Sequence, residues 1–324
     1  MTVPNADPEL YRLIAQVLTL HYKDDLPQSE IANQLGLSSA KVNRLIKRGR
    51  ALGMIKITIE SPFLHQIELE RALCEKWSLK KAIVVPTVDG NPGMTLDQVG
   101  AAVARLLTDT LRDSDTIAIS GGKTLSALIQ NLTGDHDFDV EVVPMTGCVQ
   151  GHHYTDVNHI ATELANRLSG HATLIHAPLH AETPEERALI MAMRSVRDVM
   201  EIVRVADVAV FGLGAVIGTD STYYDAHPVS PDERARLYDQ GVRGELLGHL
   251  IDRAGQLSDN ALNSRLVALP PDELAKIPVR IGTATGPDKV EPVTAALNGG
   301  YLNYLVTDED TAAAILDQEV QKIA

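Results

Sequence analysis

Apolar residues fall at helical spacing in the first fifth of the chain, and beyond it β-like apolar runs alternate with helix-like ones. Over 10–22, Leu10, Leu13, Ile14, Val17 and Leu18 lie on one face of a predicted helix. Over 28–47, QSEIANQLGLSSAKVNRLIK, the residues Ile31, Leu35, Leu37, Val42 and Leu45 supply a buried face shared by two short helices. Ala32 is the small residue where those helices come closest, and Gly36 takes the turn between them. This is the spacing of a helix-turn-helix. The second helix is expected to begin at Ser38 or Ser39, either of which can cap its free amides. Behind a glycine stop, 52–60 (LGMIKITIE) alternates Ile55, Ile57 and Ile59, which predicts a short closing strand and gives the domain a winged-helix-like outline.

Pro62 marks the expected boundary, so 1–61 is read as one domain and 62–324 as a second. Helical spacing resumes over 63–77. Strands are then expected at 81–86, 116–120, 140–144, 172–177, 208–213, 265–269, 279–283 and 304–307. Helices are expected at 97–112, 124–132, 156–168, 184–206, 231–247, 291–297 and 309–322. Strands separated by helices require right-handed crossovers, so the fold class is α/β with a mostly parallel open sheet. Ligands of such sheets sit beyond the carboxyl ends of the strands.

Charge separates the two parts. Net formal charge is −14, yet residues 1–61 balance at +2 and residues 62–324 carry −16. The predicted second helix of the first domain exposes Lys41, Asn43, Arg44, Lys47, Arg48 and Arg50, and 38–56 contains no Asp or Glu. An unbalanced basic face on a helix-turn-helix reads as a surface for double-stranded DNA. The acidic remainder would repel DNA. Aromatics are only 4% of the chain, which suits helices on a parallel sheet better than a β-sandwich. There is no apolar run long enough to cross a membrane and no export signal at the N-terminus, so no membrane partner and a cytoplasmic location are expected. Cys74 and Cys148 lack metal-ligand spacing.

Four loops at predicted strand ends carry the candidate chemistry. Ser120-Gly121-Gly122-Lys123-Thr124 runs from a strand into a helix and reads equally as a tight turn or as a phosphate cradle of free amides. It is not a Walker A loop. Met145-Thr146-Gly147-Cys148 and Gly212-Leu213-Gly214-Ala215 are backbone-approach loops or tight turns, and the second lacks the rest of a dinucleotide fingerprint. Gly286-Pro287-Asp288-Lys289 places a lysine at another helix start. Glu245 and Asp252 stand seven residues apart, the spacing of two helical turns, and could accept sugar hydroxyls. His152, His153, His159, His176 and His180 form no metal pattern, and no nucleophile elbow is present. Neither metal nor cofactor is expected.

Taken in order, SEIANQLGLS, VNRLIKRGRALGMIKI, IAISGGKTLSAL, VEVVPMTGCVQG, VNHIATELANRL, DVAVFGLG, DQGVRGELLGHLIDRAGQ, GTATGPDKVEPVTAAL and LNYLVTDEDTAAAIL resemble the SorC family of bacterial transcription regulators over nearly the whole chain. The resemblance implies a ligand domain similar to the sugar-phosphate isomerase and deaminase fold, used for sensing and not for turnover. On the predicted reading helix, operator contacts are expected from Ser39, Lys41, Asn43, Arg44, Lys47 and Arg48. The resemblance places Gly121, Gly122, Lys123 and Thr124 on an effector phosphate, Lys289 near the same or a second phosphate, Glu245 on sugar hydroxyls, and Gly147, Gly212 and Gly214 in the loops around them. The effector class is a sugar, polyol or sugar phosphate, and the regulated genes a carbohydrate or polyol catabolic operon. A homo-oligomer is also implied, dimer or commonly tetramer, because paired half-sites need paired reading helices. The sequence departs from many relatives at Gly121, where they carry a bulky aromatic, at Lys123, where they carry Arg, Ser or Thr, and at Ser39, often Arg. The rival reading is a sugar-phosphate isomerase or deaminase with an accessory DNA domain. It would need an acid/base pair, often with a histidine, beside 211–227, where Asp220 has no histidine next to it.

Overall fold

The computed structural model describes residues 8–133, 137–149, 156–217 and 229–320. The chain divides into two compact units, Met1–Pro62 and Phe63–Ala324.

The first unit is three helices, α1 (Pro8–Tyr22), α2 (Gln28–Leu35) and α3 (Ser39–Ala51). Ile14, Val17, Leu18, Ile31, Ala32, Val42, Leu45 and Ile46 form its core, while Leu35 and Leu37 are only half-buried against it. Gly36 closes α2 in the left-handed region, φ 63°, with its N–H on the last free carbonyls of the helix. Ser38 caps α3, its side chain accepting from Lys41 N. The expected closing strand is absent: residues 54–60 form no regular structure, and Ile57 and Ile59 are 63% and 65% exposed. Alternation predicted a strand there, but a strand needs a pairing partner and the described residues of this unit offer none.

The second unit opens with α4 (Leu64–Trp77), β1 (Lys81–Val85), α5 (Pro92–Thr110), β2 (Thr116–Ile119) and α6 (Lys123–Asn131). It continues through β3 (Glu141–Pro144), α7 (Val157–Leu168), β4 (His171–Ala172), α8 (Pro184–Ala192), α9 (Arg194–Arg204) and β5 (Val208–Gly214). After α10 (Pro231–Asp239) come β6 (Val242–Leu246), β7 (His249–Asp252), α11 (Ala261–Ser264) and α12 (Pro271–Leu274). The chain then forms β8 (Val279–Thr283), a 3-10 turn at Pro287–Lys289, α13 (Val290–Asn298), β9 (Tyr304–Asp308) and α14 (Glu309–Val320).

Seven strands run parallel in the order β1-β9-β8-β5-β2-β3-β4, and an antiparallel hairpin, β6 with β7, attaches to the far end of β5. Alternation along each strand feeds two cores. Val208 and Val210 of β5 join Ile117, Ile119, Ile281 and Val306 under α5, α6 and α7. Ala209 and Phe211 face the other way, into a core with α4, α9, α13 and α14. A sheet buried on both faces explains its near-continuous Val, Ile and Ala runs.

Several expected elements differ. The 231–247 helix is α10 followed by strand β6, because Gly241 at φ 98° turns the chain and the Val242 to Leu246 run alternates buried and half-buried. Glu245 and Asp252 therefore do not share a helical face. They lie on opposite strands of the hairpin, where Glu245 pairs with Leu250 and Asp252 with Val242. The 184–206 helix is broken into α8 and α9 at Met193, which adopts extended backbone. Residues 265–269 form isolated bridges, Leu266 with His180 and Ala268 with Thr146, and no strand, and 172–177 contributes only the short β4.

Candidate functional site

The sheet changes direction between β2 and β5. From β2 the chain winds outward through β3 to β4, whereas from β5 it winds the opposite way through β8 to β9, so the loops after β2 and β5 diverge and leave a crevice. Two hydrogen bonds hold the lips of that crevice: Ser120 N donates to Val210 O at 3.2 Å, and Gly212 N donates to Ser120 Oγ at 3.3 Å.

A pocket of about 180 Å³ sits there, lined by Pro92, Leu96, Gly121, Gly122, Lys123, Thr124, Gly212, Leu213, Gly214, Glu245, Thr285 and Lys289. Lys123 and Thr124 open α6, and Gly122 precedes them at φ 136° as an N-cap with no side chain to cover the first amides of the helix. Helix starts carry partial positive charge, and Lys123 and Lys289 add two cations to it. The chemistry suits an anion.

Glu245 supplies a different function. It is placed by β6, which pairs its backbone directly with Gly214, and a Cβ at 214 would collide with the Glu245 carboxylate. Glycine at 214 is thus required for the acid to enter. Gly248 N donates to Glu245 Oε1. Burial pushes this carboxyl above the usual carboxylate range, opposed by the Gly248 N–H and by the charge of Lys289. A half-buried carboxyl that lines the pocket can accept a hydroxyl.

Asp308, at the end of β9, is 1% exposed. Burial pushes its carboxyl up, but hydrogen bonds from Thr311, Gly286 and Thr285 outweigh that and hold it below the ordinary range. Those bonds fasten the loop that brings Thr285 and Lys289 to the pocket.

All the residues expected around an effector converge on this pocket except Gly147. Its N–H donates to Val267 O at 2.8 Å, and a Cβ there would strike the Pro178 carbonyl, so close backbone packing requires glycine at this position, which does not line the pocket. Pro92, Leu96 and Thr285 went unread in the sequence. Thr285 lies in the same small-residue loop as Gly286 and was within reach, but nothing local marks the first turns of α5 as a pocket wall. Among the described lining residues the ionisable groups are Lys123, Glu245 and Lys289, with no histidine. His249, on β7, is buried, pushed down to about 4 by that burial, and its Nε2 donates to Leu269 O at 3.1 Å. His152, His153 and Asp220 lie outside the described residues.

In the first unit Ser39, Lys41, Asn43, Arg44, Lys47 and Arg48 are all exposed along α3. None of these four cations makes an ion pair among the described residues. Arg50 differs: its Nε donates to Tyr22 OH at 2.9 Å, so this cation braces α1 against α3.

Comparison with known proteins agrees with both halves. The sugar-binding domain family, Sugar-bind, matches residues 61–317, and Sigma-70 region 4 matches residues 14–52. The transcriptional regulator LsrR of Escherichia coli (strain SMS-3-5 / SECEC) is 34% identical over 307 residues, covering 94% of each chain. LsrR of Enterobacter sp. (strain 638) is 32% identical over 94% of this chain and 92% of that protein. Among solved structures, the full-length sorbitol operon regulator SorC from Klebsiella pneumoniae superimposes with a TM-score of 0.75 at 28% identity, over 96% of this chain and 100% of that one.

Proposed function

The chain belongs to the SorC family of transcriptional regulators, with a helix-turn-helix region and a sugar-binding domain, and from that premise we propose that a sugar or polyol phosphate in the β2/β5 pocket controls its hold on operator DNA. The observation that carries this is the convergence of the Gly122 to Thr124 helix start, Lys289 and Glu245 in one crevice. Lys123, Lys289 and the α6 amides take the phosphate, and Glu245 accepts a hydroxyl. Thr285 and Gly212 complete the wall.

On the DNA side, Asn43 and Arg44 reach base edges, and Lys41, Lys47 and Arg48 take phosphates, with Ser39 at the helix start. The regulated genes serve carbohydrate or polyol catabolism. The protein is a cytoplasmic homo-oligomer, dimer or tetramer, since a palindromic operator needs two reading helices at fixed separation. Its role on this reading is sensing and not turnover, which the names of its relatives as transcriptional regulators support.

The test is a thermal-shift series with ribose 5-phosphate, fructose 6-phosphate, sorbitol 6-phosphate, their unphosphorylated counterparts and inorganic phosphate. A ligand of the native state raises the melting temperature with its concentration. Stabilisation by a phosphorylated compound, lost in Lys289→Ala, supports the reading. Product formation from any of them at ordinary enzymatic rates overturns it, and light scattering that finds a monomer overturns the oligomer.

A further inference from the structure

One wall of the pocket is fastened to the first helix of its unit through two consecutive carboxylates. Asp308 Oδ2 accepts from Gly286 N at 3.0 Å and from Thr311 Oγ1 at 2.6 Å. Its Oδ1 accepts from Thr311 N at 3.0 Å and from Thr87 Oγ1 at 3.1 Å. Gly286 N is shared with Thr311 Oγ1, also at 3.0 Å. Gly286 is the residue between Thr285 and the turn that ends in Lys289, and both of those line the pocket. Asp308 thus holds the pocket loop.

Glu309 opens α14 and faces another partner. Its Oε2 accepts from Gln66 Nε2 at 2.8 Å, and its Oε1 lies 3.5 Å from His65 Nε2. Gln66 is buried, and both residues belong to the first turn of α4. Glu70, one turn on, accepts from Val84 N at 2.9 Å and so ties α4 to the edge strand β1. In sequence, α4 is the first helix after the DNA-reading unit.

We propose that Asp308 and Glu309 are positioning residues for the effector response: the pair converts a shift of the Thr285 to Lys289 loop into a shift of the first turn of α4. The proposal rests on reading the pocket as the effector site. Its physical basis is that a buried carboxylate stripped of a donor is costly, so the Gly286 amide and Asp308 move together. The planar peptide joining 308 to 309 leaves little slack between the two grips. An anion that draws Lys289 and Thr285 inward then pulls on the Gln66 and His65 contacts, and binding differs in free energy between the two settings of α4, which is what coupling requires.

Hydrogen exchange on the full-length protein tests this with and without ligand. Without ligand, Thr311→Val removes one donor to Asp308 at nearly constant volume, and exchange should rise about tenfold at 285–289 and also at 64–70. Exchange in α6 should not change, and Thr311→Ser, which keeps the hydroxyl, should match the parent. If Thr311→Val loosens 285–289 and leaves 64–70 at the parent rate, the coupling is overturned. In the second arm the probes are ribose 5-phosphate, fructose 6-phosphate and sorbitol 6-phosphate. Whichever raises the melting temperature should protect 285–289 and alter 64–70 in the parent protein. In Glu309→Ala, which removes the acceptor for Gln66, the melting shift and the protection at 285–289 should persist while the response at 64–70 disappears. A response at 64–70 that survives in Glu309→Ala overturns the proposal. If none of the three probes stabilises the protein, the phosphate reading of the pocket fails, and the ligand-free arm alone decides the coupling.

Discussion

The two units handle positive charge in opposite ways. Along α3 of the reading unit, Lys41, Arg44, Lys47 and Arg48 stand in solvent on a helix that contains no acidic residue. In the ligand unit a set of cations is tied down: Arg204 to Glu273 at 2.7 Å, Arg243 and Arg253 both to Glu291, Arg280 to backbone carbonyls. Lys123 and Lys289 are held at a pocket among glycines. A polyanion as long as DNA is met by many loosely held charges that release counterions, while a small anion needs few charges held in fixed geometry. On the proposed reading the same residue type serves bulk attraction in one unit and recognition in the other.

The largest expected effect breaks the reading unit itself. Its core is small, and Leu45 is 5% exposed within it. Leu45→Ala should cost about 2–5 kcal/mol, enough to unfold a domain of this size. Calorimetry should show the ligand unit melting as before while DNA binding is lost. Retention of both would mean that this core does not limit the first unit.

Next is the pocket. Lys289→Ala should weaken a phosphorylated effector by about 1.5–3 kcal/mol, the range of a hydrogen bond to a charged group, and leave ligand-free operator affinity unchanged. Calorimetric titration with the stabilising phosphate from the thermal-shift series measures the first, and operator titration the second. An equal loss of affinity for the unphosphorylated sugar would show that Lys289 acts on the fold and not on the anion.

The reading helix gives effects of similar or smaller size that differ in kind. Arg44→Ala or Asn43→Ala should change which sequence is bound, by ~1–3 kcal/mol per lost base contact, whereas Lys47→Ala or Arg48→Ala should weaken all DNA alike and lower the salt slope by about one each. Arg50→Ala should affect stability more than sequence preference, because Tyr22 already occupies its guanidinium. Salt-dependent titrations of the variants separate these roles, and an unchanged slope for Lys47→Ala removes it from the phosphate contacts.

These contrasts also explain what the sequence disclosed. The helix-turn-helix is local: Ile31, Ala32, Gly36, Val42 and Leu45 lie within one short stretch, so spacing alone exposes it. The parallel sheet was legible because strands covered on both faces become dense apolar runs such as Val208 to Phe211. The β6–β7 hairpin was not, since VRGEL followed by HLID satisfies helical and strand spacing alike, and only Gly241, Leu247 and Gly248 at positive φ decide between them. The pocket loops announced themselves by glycine at strand ends. Pro92 and Leu96 arrive from the start of a helix that sequence places far from any of those loops, and only packing brings them in. Gly147 shared the glycine signal but had the other reason for it, a backbone pressed against Pro178.

The smallest effect concerns Glu245, where stability and binding should move in opposite directions. Its carboxyl is raised by burial, so the native state holds the proton more tightly than the unfolded chain, which titrates at the ordinary value of 4.5. Below pH 4.5 both states are protonated and the contribution is complete. As pH rises from there to the raised native value, the unfolded chain ionises first, the folded state loses stability, and above that value the loss levels off. Glu245→Gln keeps an oxygen for the Gly248 N–H but cannot ionise, so it should be more stable than the parent at neutral pH, with the two converging near pH 4. Its affinity for a hydroxyl-bearing phosphate should fall, while affinity for inorganic phosphate, which has no hydroxyl to present from a sugar carbon, should stay within the spread of a surface substitution. Urea melts across pH and parallel titrations with sorbitol 6-phosphate and inorganic phosphate measure both. A variant less stable than the parent at pH 7 would mean that the Lys289 charge, and not burial, dominates the acid, and equal losses for both ligands would place Glu245 on the anion's side of the pocket.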